Sequence, residues 1–67
     1  MRARQLLINI YENDAEHPVL GHVFYGTQTE VDAIIAAHKR TDSFFRAAME
    51  DGAWKGMRLT VTQEWLI

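Results

Sequence analysis

The residues whose types and spacing could do chemistry are His22, His38 and Asp42. His38 and Asp42 stand four apart, so a helix through them sets both on one face, and His22 lies in a segment able to point toward that helix. Two imidazoles and a carboxylate form a possible metal or acid–base set. The same residues have a duller use. An inward histidine ordinarily hydrogen-bonds a neighbour such as a backbone carbonyl, and the aspartate of Thr41-Asp42-Ser43 reads as a helix cap. The structural use is the expectation. No cofactor is assigned, and His22, His38 and Asp42 stand only as weak metal candidates.

Ser43 beside Asp42 does not make a hydrolase. There is no nucleophile elbow and no glycine pair to build an oxyanion hole. Gly21, Gly26, Gly52 and Gly56 fall at turns or in strands, not in a phosphate-cradling loop. A chain of 67 residues leaves little volume for a pocket. The expectation is no catalysis.

Seven Lys and Arg against nine Asp and Glu give a net charge of -2, which makes no long-range case for nucleic acid or an anionic membrane. Basic side chains (Arg2, Arg4, Lys39, Arg40, Arg46, Lys55 and Arg58) with Tyr11 and Tyr25 on a sheet face keep a small nucleic-acid-binding or regulatory protein as an alternative. That alternative needs Arg2, Arg4, Lys55 and Arg58 to gather on one side. A metal- or ligand-dependent accessory subunit is the other alternative.

No apolar run approaches the ~20 residues that span a bilayer. Met1 to Gln5 begin basic, but Leu6-Leu7-Ile8 is cut by Asn9, which breaks the pattern of a signal peptide. A cytoplasmic protein is expected. The absence of cysteine fits a reducing compartment and removes disulfides as a source of stability.

The elements that must position these residues follow from periodicity. Arg4 to Glu12 alternates, with Leu6, Ile8 and Ile10 on one face and Leu7, Asn9 and Tyr11 on the other. Apolar content on both faces suggests a central strand. A turn-rich stretch, Asn13 to Pro18, leads into a second strand, Val19 to Tyr25, in which Pro18 and Gly21 point to an edge position. Thr27-Gln28-Thr29-Glu30 reads as a capping box, with Thr29 and Asp32 as an alternative start. Val31, Ile34, Ile35 and His38 then recur as one face of a helix. Thr41-Asp42-Ser43 interrupts that pattern before Phe44, Phe45, Ala48 and Met49 resume it, so one bent helix and two short ones are both open. Gly52 suits a left-handed C-cap. Trp54 to Ile67 alternates as a third strand.

These elements predict an α+β fold of one domain over residues 1–67, in the order ββαβ. A three-stranded antiparallel sheet in the order 2-1-3 carries one bent or broken helix on one face. One helical segment covers one face of such a sheet and leaves the other bare. Leu7, Tyr11, Val23 and Tyr25 fall on that outer face, and Trp65-Leu66-Ile67 makes an apolar end to the last strand. Together with the sheet's edge, these seven residues are the candidate interaction surface. A core this small supplies only about 3–5 kcal/mol, so a partner would add much. The expected function is a non-enzymatic interaction or assembly module that joins a second copy of itself, as a homodimer, or another protein.

Overall fold

The structure is a computed structural model that describes residues 4–66. Strand β1 (Arg4–Glu12) pairs antiparallel with β2 (Leu20–Gly26), and helices α1 (Gln28–Thr41) and α2 (Ser43–Glu50) follow. A two-residue strand β3 (Ala53–Trp54) then turns into β4 (Met57–Leu66), which runs antiparallel to both β3 and β1. The sheet order is β2-β1-β4-β3.

The architecture is α+β with an antiparallel sheet, and it corrects the ββαβ expectation in two places. There are four strands and two helices, not three strands and one helix. The extra strand arises because Trp54-Lys55-Gly56-Met57 is a hairpin. Lys55 and Gly56 both hold positive φ, 50° and 82°, as a two-residue type I′ turn requires. The Lys55 ammonium sits over the Trp54 ring, 5.1 Å from its centre. The central place of β1 and the edge place of β2 match the expected order, with the short β3 added outside the last strand.

The helical segment divides because Asp42 leaves helical geometry, with φ −130° and ψ 101°. Its amide still closes α1 on the His38 carbonyl at 2.9 Å. Its Oδ1 accepts from the Phe45 amide at 3.0 Å and starts α2. One residue therefore ends one helix and caps the next. Asp42→Ala is expected to destabilise the domain by about 1 kcal/mol in a urea titration, while Asp42→Asn keeps most of that loss away.

At the other end of α1 the capping box forms. Thr27 Oγ1 accepts from the Glu30 amide at 3.2 Å, and Glu30 Oε1 accepts from the Thr27 amide at 2.9 Å. The hydrogen bond from the Thr27 backbone, with that from its side chain, holds the Glu30 carboxyl below its ordinary range. A depressed folded value means the cap is complete at neutral pH and is lost as pH falls through that value. Protection of the Thr27 amide, its exchange rate set against that of an unstructured chain at the same pH, is expected to fall on acidification in the native chain. In Glu30→Gln, whose amide oxygen can still accept, that acid-side fall should be absent.

The core lies between the helices and one sheet face. Leu6, Ile8 and Ile10 of β1, Phe24 of β2 and Leu59 of β4 are buried against Val31, Phe45 and Ala48. β1 shows the alternation directly, since Leu7, Asn9 and Tyr11 are only partly covered. Both helices serve that inner face: α1 lies against β2, and α2 lies against β3 and β4. The layer is thin. Its extents are 40 × 26 × 13 Å and its radius of gyration is 12.3 Å, against about 11 Å for a compact chain of this length. Among the described residues, no helix is long and apolar enough to cross a membrane.

Candidate functional site

The structure brings His22, His38 and Asp42 together. His22 stands on the inner face of β2 and His38 on the sheet-facing side of α1, and their ring centres are 5.1 Å apart. Phe24 and Phe45 close the cluster, with His22–Phe24 at 4.4 Å and an edge-on His38–Phe45 contact at 4.6 Å. His38 Nε2 lies 3.6 Å from Asp42 Oδ2. The carboxylate thus faces the imidazole with one oxygen and caps α2 with the other. Aromatic contacts of this kind hold the rings in place by packing. Among the described residues, no group of three His, Cys, Asp or Glu is arranged to hold a metal ion.

A second feature is the groove between the helices, bordered by Asp32, Ile35, Lys39, Arg40, Arg46 and Glu50. Its charges are mixed, and Lys39 Nζ pairs with Glu50 Oε2 at 3.8 Å. The remaining basic residues do not gather. Arg4 lies over the Trp65 ring, 4.5 Å from its centre, at the end of the sheet where β1 starts. Lys55 and Arg58 are at the opposite end, and Arg58 donates to Asp14 Oδ1 at 3.0 Å. Arg2 lies outside the described residues.

The outer sheet face is the third feature. Register places Tyr25, Gln5 and Leu66 in one row across β2, β1 and β4, and Val23, Leu7 and Glu64 in the next. Tyr25, Val23 and Leu7 are therefore neighbours on this face, with Leu66 diagonal to Leu7 and the polar Gln5 and Glu64 completing the rows. Tyr11 stands apart beside Thr60, at the other end of β1. None of these residues belongs to the core or packs against it. Trp65 falls on the inner face, opposite Leu6, and packs against the margin of the core. Ile67 lies outside the described residues.

Sequence reasoning missed two residues here. Among the described residues, Val19 and Ile34 are, with Tyr25, the exposed large apolar side chains, at 51%, 44% and 64%. The helical stripe placed Ile34 on the inner face with Val31, Ile35 and His38. The structure turns it to the flank, because Val31, Ile35 and His38 point at the sheet and Ile34 lies about 40° beyond His38 at 100° per residue. Ile34 and Ile35 stand at the two margins of the stripe, equally far from its centre, so spacing alone does not say which of them turns outward.

In comparisons with known proteins, no family model, no curated protein and no solved structure matches the chain. What the fold defines is a small α+β domain with one covered and one bare sheet face.

Proposed function

We propose that this domain is an assembly module that associates with a second copy of itself and performs no catalysis of its own. The observation that supports it most is the outer sheet face, which neither helix covers and where an exposed Tyr25 and the half-buried Leu7, Val23 and Leu66 are spread over three strands. Contiguous exposed apolar surface tends to mark an interaction site. Stability points the same way, because a partner that binds only the folded state adds free energy to a core with none to spare. Light scattering behind size exclusion tests the reading. A particle of twice the 7.7 kDa chain mass is expected at high micromolar concentration. A monomer there, with a fold unchanged when Leu66 and Ile67 are trimmed, would remove it.

The meeting of His22, His38 and Asp42 favours one alternative, a metal- or ligand-dependent accessory subunit. Against it, among the described residues no group of three His, Cys, Asp or Glu is arranged to hold a metal ion, and Asp42 already spends one carboxylate oxygen on the α2 cap. Zinc, nickel or manganese is therefore expected to leave the thermal midpoint unmoved. A metal-dependent rise that disappears in His38→Ala would favour the accessory-subunit reading instead.

A further inference from the structure

We propose that the second copy docks on the β2 edge and the adjoining flank of α1, forming an antiparallel β2–β2′ pair centred on Val23. The proposal rests on the self-association reading and names the surface and register. The three large apolar side chains left exposed among the described residues, Val19, Tyr25 and Ile34, are distributed over this one side of the molecule. Val19 and Tyr25 bracket β2, and Ile34 is on the helix lying over it.

The backbone of β2 is free to pair. Asn13 donates to the Arg58 carbonyl, so the odd positions of β1 turn toward β4 and the even ones toward β2. The even β1 positions Leu6, Ile8 and Ile10 stand opposite Phe24, His22 and Leu20. By alternation, the N–H and C=O groups of Gly21, Val23 and Tyr25 then point out of the sheet. No residue from Leu20 to Gly26 carries a formal charge apart from a protonated His22, whereas natural edges are commonly guarded by charged side chains. The β4 edge differs, since its open stretch carries exposed Gln63 and Glu64.

The flank of α1 fits the same partner. Asp32, Ile35, Ala36 and Lys39 border the groove toward α2. The opposite side of the helix holds Glu30, Ile34, Ala37 and Thr41 and overhangs the β2 edge. Paired strands lie about 4.8 Å apart, closer than the 8–10 Å usual between helix axes. Small Ala37 and Thr41 on this flank let two copies of α1 approach.

Register follows from which groups remain free. The Val19 amide already donates to the Ile10 carbonyl at 2.8 Å, which leaves Gly21, Val23 and Tyr25 as the pairing set. Centring on Val23 sets Val23 against Val23′ and Tyr25 against Gly21′, and uses all three residues. Each close pair exchanges two hydrogen bonds. A slide of two residues either way loses a pair or requires the occupied Val19 amide. The tyrosine ring then crosses a bare glycine, a pairing known to support edge strands.

The test uses the full chain, which has no cysteine of its own. Val23→Cys is expected to oxidise to a disulfide-linked dimer, and Gln63→Cys on β4 to remain reduced. Val23→Pro removes an outward N–H that the β1–β2 ladder does not use, so the fold is kept and the light-scattering mass should halve. Ala37→Arg, at an exposed position, should weaken dimerisation at least ~10-fold by holding the helices apart. Should Val23→Pro unfold, Ala37→Arg and the cysteine pair decide. A dimer that survives both substitutions and crosslinks at Gln63→Cys would overturn this interface and leave self-association standing. A monomeric native chain would remove both.

Discussion

Phe45→Ala is expected to leave the domain unfolded at room temperature. Phe45 is fully buried and is the largest side chain in the core that is so. It stands where α1, α2 and β2 meet: its ring lies edge-on to His38 of α1 and to Phe24 of β2, and its amide is the one that Asp42 caps. Removing a buried phenylalanine side chain costs about 3–5 kcal/mol, the lost transfer energy plus the cavity left behind. A staple-free domain of this size has about 3–5 kcal/mol in total. The loss therefore matches the whole stability, not a fraction of it. Circular dichroism checks this, with a loss of the native spectrum and of a cooperative melt. Phe44→Ala is the control. Phe44 is only partly buried and lies edge-on to Trp54 at 5.7 Å, so its loss should lower the midpoint and keep the transition.

The second large effect is on thermal stability as a function of protein concentration. If folding and self-association are linked, the midpoint rises with concentration by mass action. Each tenfold increase is worth about 1.4 kcal/mol per dimer, or about 0.7 per chain, which for a domain this size moves the midpoint by about 3–6 °C. A monomer shows no such drift. Differential scanning calorimetry over two decades of concentration reads it. Tyr25→Lys, at a position exposed on the bare face and beside the β2 edge, should flatten the dependence while keeping the low-concentration midpoint. A drift unchanged in Tyr25→Lys would move the association away from this side of the sheet.

Much of the fold was legible because burial writes a period into a chain. Leu6, Ile8 and Ile10 fall at every second position and are buried, and β1 lies in the centre as its two apolar faces suggest. Thr27 and Glu30 carry a capping box in which each residue satisfies the other's backbone, a local arrangement that needs no tertiary information. The hairpin at Lys55-Gly56 was hidden for the opposite reason. Lysine at positive φ is uncommon, so the turn is set by its neighbours: β3 is only two residues long, too short to show a period. The division at Asp42 was half legible. Thr41-Asp42-Ser43 announces a cap, but whether a chain bends or breaks there depends on Phe45 finding its place against Phe24 and His38, which is a matter of packing.

The candidate site was less legible than the fold. Parity alone assigns Leu7, Val23 and Tyr25 to the outer face, and it also sends Trp65 inward, where the ring lies beneath Arg4. It does not say which open edge stays unguarded. That required knowing that α1 lies over β2 and that Ile34 faces outward from it, both of which depend on how the two helices share the inner face. His22 and His38 meet for the same reason, across sixteen positions of sequence that contain a turn and most of a helix.

Amide hydrogen exchange at Val23, followed on dilution, tests the central claim most directly. With a second copy paired along β2, the Val23 N–H is hydrogen-bonded at high micromolar concentration and exchanges slowly. On dilution it loses that protection, while the Phe24 amide, bonded into β1, keeps its own. Fast exchange at Val23 at every concentration, with Phe24 protected throughout, would contradict the account.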